Sequence, residues 1–340
     1  MTTIKGFLRS ANASQRRYER ESKHKQRELE RQQNQFEKMQ EFERATYEVA
    51  VYENLIDVLT SVHKDVGPTW DWQHILDSTA RPSEPNRVNF TIWEQSARER
   101  LNNYKPSIVE KTFRKPQAKI ASLEADIAKA VSKDEAEYQQ AYQEYQDEYE
   151  QWKNTKDLAE RIIARDVNAY LEAISEIAPF QEIPEIGAGL NFSIDDELND
   201  LLMEVDLRVR DESTIPKEVK SLLKSGKLST KVMPKTKYFA LYQDYICGCV
   251  LRVARELFVL LPLEIVIVTA IGNVLNTKTG HIEEKPILSI AIPRATLNSL
   301  NFDSLDPSDS MSNFIHKMSF KPTAGFSAIE KLKASDIEQS

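Results

Sequence analysis

The feature that most constrains this chain is residues 14 to 64, which contain no glycine or proline. The apolar residues of the second half recur at spacings of four, four, three and four: Tyr47, Val51, Leu55, Val58 and Val62. This period predicts one long helix with an apolar stripe, of roughly 75 Å at 1.5 Å per residue. Because such a helix needs support along its length, we expect a partner helix to cover the stripe.

A second helical stretch covers residues 117 to 178, and its middle contains aromatic residues every three or four positions: Tyr138, Tyr142, Tyr145, Tyr149 and Trp152. Stacked rings of this kind can bind single-stranded nucleic acid. Residues 134 to 150, however, contain seven acidic side chains and no Lys or Arg, a composition that repels phosphate. We therefore interpret the aromatic residues as the packing seam of a helix.

These patterns predict an α+β protein that is mostly helical, in which a long antiparallel helical hairpin (a coiled coil) precedes a C-terminal α+β domain with a small mixed sheet. The expected segments are a long N-terminal helix with a basic arm (1–66), a compact connector (67–116), the returning helices (117–178), the α+β domain (179–330) and a frayed tail (331–340).

The α+β domain shows a mixed series of elements. "LNFSI", "LLMEVDLRV" and "KLSTKVM" have the pattern of strands, whereas "IPKEVKSLLKSG" is typical of a short helix with an early proline and a glycine after its end. "KYFALYQDYICGCVLRVARELFVLL" predicts a long buried helix, and "EIVIVTAIGNVL" with "KPILSIAI" predicts a β-hairpin. After Pro293 we expect short helices, including "DPSDSMSNFIHKM".

The charge distribution bears on nucleic-acid binding. The formal net charge is −8 with a pI of about 5.4, which argues against a nucleic-acid binder over the whole chain. A basic arm nevertheless concentrates seven cations against four glutamates: Arg16, Arg17, Arg20, Lys23, Lys25, Arg27 and Arg31. This arm is a candidate contact for nucleic acid or an acidic partner, and the alternative is a solvated helix face.

One catalytic pattern can be assembled. Asp206 followed by Glu218-x-Lys220 resembles the arrangement in PD-(D/E)xK nucleases, where two carboxylates hold a divalent metal such as Mg²⁺ and a lysine orients the attacking water. Pro216 directly before the motif argues against a central strand, and Glu-x-Lys is common by chance. The nuclease therefore stays an alternative, and no catalytic residue is assigned.

Other motifs assign no cofactor or metal. Cys247 and Cys249 lie in an apolar stretch without a second pair to complete a metal site, and the five histidines are scattered. A reactive thiol has no adjacent basic residue to lower its pKa, so we interpret "CGC" as small buried residues that let the helix approach the sheet closely. The strongest apolar run, 257 to 271, is shorter than a membrane span and contains Pro262 and Glu264. The N-terminus has no secretory signal pattern. We expect a cytoplasmic protein.

The segments "KYFALYQDYICGCVLRVARELF" and "VIVTAIGNVLNTKTGHIEEKPILSIAIPRATLNSLNFDSLDPSDSMSNF" resemble bacterial proteins in which a charged coiled coil precedes a small α+β domain. The resemblance covers about the last 100 residues and implies a bacterial, cytoplasmic origin, but no activity, cofactor or partner. We expect a non-enzymatic interaction protein that self-associates or docks a protein partner. The alternatives are the nuclease and nucleic-acid binding through the basic arm.

Overall fold

A computed structural model describes residues 41–106, 116–177, 179–180, 189–194 and 202–337. The described residues divide into two compact units, one formed by residues 73–106 and 116–160 and the other by residues 41–72 and the described part of 161–337. The structure is α+β, with long helices and a mixed sheet in the C-terminal half. The basic arm, residues 16 to 31, lies outside the described residues.

Within the first unit, the connector forms α2 (Trp72–Ser78), a 3₁₀ turn (Arg87–Asn89) and α3 (Ile92–Asn102), and α4 (Pro116–Ile163) follows. Thr91 precedes α3 but its side chain does not cap the helix. Asp134 of α4 does so instead, since its buried carboxylate accepts hydrogen bonds from the backbone N–H groups of Trp93 and Glu94 at 3.1 and 2.8 Å. The connector is thus tied to the long helix by a cap from a distant residue.

The predicted boundary between the returning helices is displaced. We expect a new helix to begin near residue 157, but α4 continues to Ile163 and α5 covers Val167–Ile177. The break falls at Arg165, whose φ of 65° is left-handed. Asp166 then caps α5, because its carboxylate accepts from the N–H of Asn168 at 2.9 Å. A short cap motif, rather than a glycine or proline, therefore ends the long helix.

The second unit begins with α1 (Glu41–Ser61), which confirms the C-terminal half of the first predicted helix. This helix packs on α6 (Lys235–Leu260), on β3 (Glu218–Leu222) and on β4 (Leu228–Val232). Its partners in this unit are therefore the α+β elements. The pairing of residues 14–64 with 117–178 as a coiled coil stays a prediction.

The main sheet has five strands in the order β1-β2-β5-β6-β7. Their bounds are β1 (Gly189–Ile194), β2 (Leu202–Arg208), β5 (Ile265–Asn276), β6 (His281–Pro293) and β7 (Ile315–Met318). Strands β2 and β5 are parallel and the other neighbours are antiparallel, so the sheet is mixed as predicted. The long helix α6 is the connection that a parallel pair requires.

Two predicted helices in this unit are wrong. Residues 218–222 of "IPKEVKSLLKSG" form β3, which pairs antiparallel with β4 in a separate two-stranded sheet. Gly226 has φ of +79°, so the glycine expected to follow a helix turns a hairpin instead. The second wrong helix lies in "DPSDSMSNFIHKM", where only α8 (Pro307–Ser310) and a 3₁₀ turn (Met311–Asn313) are helical and Ile315–Met318 is β7.

Residues 331–337, part of the tail expected to fray, are packed on the sheet. Leu332 and Ala334 are buried with Leu202, Ile267 and Ala291. The N–H of Leu332 donates to Oγ of the buried Ser289 at 3.0 Å. The correction has a physical cause: strands β2, β5 and β6 expose apolar residues on this face, which the tail removes from water. The remaining elements are α7 (Arg294–Asn298), β8 (Phe320–Lys321), β9 (Gly325–Phe326) and α9 (Ala334–Ile337).

Candidate functional site

The second unit has a groove of about 670 Å³ between the end of β4, the start of α6 and the outer part of the β5–β6 hairpin. Its walls are Asp211, Glu212, Ser213, Lys217, Val232, Met233, Lys235, Tyr238, Phe239, Asn273, Leu275 and Ile282. We call this surface the β5 groove. Its size is that of a ligand-binding site.

One side of the β5 groove is an unpaired strand edge. Strand β2 pairs with β5 only as far as Arg208 opposite Ile271, although β5 continues to Asn276. The C=O of Ile271 accepts from the N–H of Val209, so Ile271 directs its backbone groups away from β6. Backbone direction repeats every second residue. The N–H and C=O groups of Asn273 and Leu275 therefore face the groove, and no described strand pairs with them.

The β6 strand supports this assignment. Ile271 is opposite Pro286, which has no N–H and so belongs to a pair without backbone hydrogen bonds. The C=O of Pro286 instead accepts from the N–H of Ile329 on the other side of β6. Val274 lies between Asn273 and Leu275 and is opposite Glu283 of β6. Its N–H and C=O groups therefore point towards β6, where they pair within the hairpin.

Three aliphatic side chains in the β5 groove are exposed: Val232 by 83%, Leu275 by 58% and Ile282 by 70%. Leu275 and Ile282 are directly opposite each other across the hairpin. Charged residues and prolines usually protect a strand edge from pairing with another chain. Residues 271–276 include neither. In the described residues, therefore, no charged side chain or proline of this segment blocks the edge.

The charges around the β5 groove have both signs. Lys217 and Lys235 are basic, and Asp211 and Glu212 are acidic. Hydrogen bonds from Ser213 lower the pKa of the Asp211 carboxyl, which accepts from the Ser213 N–H at 2.8 Å. Burial, with a smaller contribution from Asp211, raises the pKa of Glu212. The groove thus has no single-signed field that would select a polyanion or a polycation.

Tyr238 and Phe239 are the aromatic residues that line the β5 groove, and we call them its aromatic floor. The Tyr238 hydroxyl donates to the C=O of Glu212 at 2.5 Å, and that of the neighbouring Tyr242, which does not line the groove, donates to the C=O of Arg210 at 3.0 Å. Burial raises the pKa of both phenols. Gly325 (φ +76°) lies against Phe239, where an added Cβ would meet the ring at 2.9 Å. The floor is therefore fixed before any partner binds.

The structure places the nuclease candidates in different sheets. Asp206 is on β2 of the main sheet, whereas Glu218 and Lys220 are on β3 of the small hairpin. The Asp206 carboxylate is 2.5 Å from Nζ of Lys331, and Nζ of Lys220 is 2.8 Å from the carboxylate of Glu48. Among the described residues no cluster of three or more His, Cys, Asp or Glu side chains is arranged to hold a metal ion.

The aromatic seam lies in the first unit, where Tyr138, Tyr142, Tyr145, Tyr149 and Trp152 form a continuous series with ring centroids 5.5 to 6.0 Å apart. Residues of the connector contact it: Phe90 packs edge-on to Tyr138, Arg81 lies over the Tyr149 ring, and the Trp152 indole donates to the C=O of Thr79. These contacts are packing contacts with the connector.

The "CGC" motif has a different neighbour from the one expected. Cys247 and Cys249 form no disulfide and are fully buried, and burial raises the pKa of Cys247 well above its usual value. An added Cβ at Gly248 would be 3.7 Å from Nδ1 of His63. Gly248 therefore faces the chain after α1 and not the sheet, and the distance is an ordinary van der Waals contact that a small side chain could also make.

Sequence reasoning missed the β5 groove, because its walls come from five separate segments. A signal was present: Leu275 and Ile282 are aliphatic residues within the polar sequence around the hairpin turn, and Pro286 marks a position without a backbone donor. Val232 is distant in the sequence, on β4, and only the tertiary structure shows that it lies near Leu275 and Ile282.

No protein-family model matches this chain. No curated protein matches it, and no solved structure matches it either. None of the helices that the structure describes is long and apolar enough to cross a lipid bilayer. Function must therefore be inferred from the chain's own contacts, charges and shape.

Proposed function

We propose that this protein is a non-enzymatic interaction protein and that its α+β unit is the recognition module. The observation that supports this proposal is the unpaired edge of β5 beside the exposed side chains of Val232, Leu275 and Ile282. Such an edge binds an extended segment of another protein by strand addition, in which backbone hydrogen bonds supply affinity and side-chain pockets supply specificity.

The partner that fits the β5 groove is an extended segment with aliphatic side chains at alternate positions. Its backbone would hydrogen-bond with Asn273 and Leu275, the two residues whose N–H and C=O groups face the groove. Alternate side chains would then pack on Val232 and Ile282. Pre-ordering of the aromatic floor reduces the entropy lost on binding.

The long helices belong to the same proposal as an oligomerisation or docking arm. Residues 14–64 and 117–178 would pair as an antiparallel coiled coil, and the support is the apolar periodicity of the sequence. Light scattering coupled to size-exclusion chromatography of the full chain tests self-association, which we expect to be a dimer or larger.

The recognition proposal is tested by selecting peptides from a random displayed library on the full-length protein. We expect enriched sequences with alternating aliphatic residues. Hydrogen exchange measured with a selected peptide should show new protection at the amides of Asn273 and Leu275, and no change at Val274, which is already engaged with β6. Protection confined to other segments, or no enriched sequence, would overturn the proposal.

Variants of two groove residues test the same proposal by peptide binding. Asn273→Pro removes one edge donor at a position whose N–H does not serve the hairpin, and Ile282→Lys places a charge in the apolar wall. We expect each to weaken peptide binding by at least about tenfold, roughly the loss of one hydrogen bond or one buried side chain. Val88→Lys is the matched control, because Val88 is 72% exposed in the other unit, and it should bind peptide normally.

A further inference from the structure

A second cavity lies near the other end of α6, away from the β5 groove. Its volume is about 310 Å³. Six of its ten lining residues are apolar, among them Phe258 and Phe302, and Thr69 and Asn298 are polar. Two arginines, Arg255 and Arg294, also line it, and no acidic residue does. We call this cavity the arginine pocket.

Arg294 is a fixed positive charge in the wall of the arginine pocket. Its guanidinium donates to three carbonyl groups at the end of α6 and beyond, those of Phe258, Leu261 and Leu263, at 2.8, 2.6 and 2.6 Å. All three nitrogens are therefore used. The carbonyls are neutral acceptors, so the positive charge of Arg294 remains uncompensated by an ion pair in the described residues.

Arg255 lines the same pocket as Arg294, and some of its N–H groups have no hydrogen-bond acceptor in the described residues. Its Nη1 donates to the carbonyls of His63 and Lys64, and the guanidinium lies over the Phe302 ring, 4.0 Å from the centroid. In the described part of the chain, Nε and Nη2 of Arg255 have no hydrogen-bond partner, and Arg255 forms no ion pair. Burial lowers the pKa of both Arg255 and Arg294, and nearby carboxylates oppose this shift: Glu256, Asp65 and Asp303 for Arg255 and Glu264 for Arg294. Since burial is the larger effect, both cations lack full hydration.

From these contacts we propose that the arginine pocket binds a small molecule that has an oxyanion group, a phosphate or a carboxylate, attached to an apolar body the size of a ring. Planar guanidinium donors match the oxygens of such groups. The free donors of Arg255 would hydrogen-bond to the oxyanion, and Arg294 would supply a second positive charge. The apolar body would pack against the partly exposed side chains of Val66, Leu300 and Phe302.

The proposed recognition predicts an order of affinity for simple probe molecules. Phenyl phosphate and benzoate combine an oxyanion with a ring, inorganic phosphate lacks the ring, and benzyl alcohol lacks the charge. Isothermal titration calorimetry of the full-length protein should show at least about tenfold tighter binding of phenyl phosphate or benzoate than of either incomplete probe, since each missing part removes roughly 1.4 kcal/mol or more. The ranking of phenyl phosphate against benzoate identifies the preferred oxyanion.

Arg255→Met tests the assigned donor, because methionine keeps much of the side-chain volume against Phe302 but removes the charge. We expect at least a tenfold loss of phenyl phosphate or benzoate binding and restoration of part of it in Arg255→Lys. Arg208→Met, in an exposed ion pair with Glu284 on the same unit, is the matched control and should bind as the wild type does. Thermal unfolding of each variant verifies that it is folded.

Several outcomes would overturn the proposal. Equal binding of benzyl alcohol and phenyl phosphate would show that the arginines do not recognise an anion. Undiminished binding by folded Arg255→Met would place the ligand elsewhere. If Arg255→Met does not fold, the probe ranking on the wild type decides: no saturable binding of either ring-bearing oxyanion at millimolar concentration refutes the site.

Discussion

Nη2 of Arg252 lies 2.7 Å from Oε1 of Glu256, and each side chain is only 4% exposed. The two residues are one turn apart on α6, the helix that connects β2 with β5. The Glu256 carboxylate also accepts from the N–H of Gly67 at 3.1 Å. This buried ion pair therefore links the long helix to the segment that follows α1.

Breaking this pair should be strongly destabilising. Glu256→Leu leaves the Arg252 charge buried without a partner, and Arg252→Met leaves the Glu256 carboxylate in the same position. We expect each variant to lose about 3–5 kcal/mol of unfolding free energy, as measured by urea denaturation. The double variant Arg252→Met/Glu256→Leu removes both charges and should lose less than either single variant. Additive losses would show that the two side chains do not interact energetically.

Acid should destabilise the second unit through His63. Its side chain is 1% exposed and neither ring nitrogen has a hydrogen-bond partner in the described residues. Burial, with smaller contributions from Lys64 and Arg255, lowers its pKa from 6.5 to about 4. Between these values the unfolded chain binds the proton and the native chain does not, so stability falls as the pH decreases from about 6.5 to about 4.

The pH dependence attributed to His63 has a maximum slope of about 1.4 kcal/mol per pH unit. Urea midpoints measured across this range should show a shallower acid branch in His63→Leu than in the wild type. His281→Gln, which changes an exposed histidine of β6, should retain the wild-type slope. An unchanged slope in His63→Leu would assign the acid sensitivity to other groups.

Arg294 should stabilise the end of α6 through its geometry as well as its charge. Three carbonyls receive hydrogen bonds from its three nitrogens, an arrangement that a lysine ammonium cannot reproduce. We expect Arg294→Lys to lose about 1.5–3 kcal/mol in urea denaturation, the range for hydrogen bonds to a charged group. Arg208→Lys, at an exposed ion pair, should change stability by less than about 0.5 kcal/mol. Equal stability of the two variants would contradict this assignment.

Two glycines in turns, both with a positive φ, allow a comparison of alanine substitutions with and without a steric contact. Gly226 and Gly280 have φ of 79° and 72°. A Cβ at Gly226 would lie 2.7 Å from the Phe42 ring, whereas nothing lies within 4 Å of one at Gly280. Both alanine variants should lose about 1 kcal/mol from left-handed strain, and Gly226→Ala about 1 kcal/mol more from the contact.

The origin of this excess can be checked by thermal denaturation in a Phe42→Ala background. There the loss caused by Gly226→Ala should decrease to that of Gly280→Ala. If the two glycine variants already lose the same stability in the wild-type background, the exposed Phe42 ring moves aside without cost.

Long-period patterns were predictable from the sequence. Residues 235–260 form the expected buried helix, and residues 265–276 and 281–293 form the expected hairpin, because their apolar period is sustained over many residues. Short segments were less predictable. Val219, Leu222 and Leu223 fit a helical period, yet residues 218–222 are a strand that pairs with β4 and packs on α1.

The candidate sites were less accessible to sequence reasoning than the elements. Asp206, Glu218 and Lys220 are of the residue types required for metal chemistry, but the structure distributes them over two sheets. Asp206 forms an ion pair with Lys331, and Lys220 forms one with Glu48. Both the β5 groove and the arginine pocket combine side chains far apart in the chain. Spacing along the sequence is informative only where neighbours in space are also neighbours in sequence.

The sequence by itself determined the helical and strand periods of the longest elements, since each period depends on which side of a local backbone is apolar. Only the tertiary structure decided that β2 ends at Arg208 while β5 continues to Asn276, and that Arg255 and Arg294 line one cavity. Strand register and cavity walls depend on which distant segments bury each other's apolar surface. That choice is made by the free energy of the whole unit and not by any one segment.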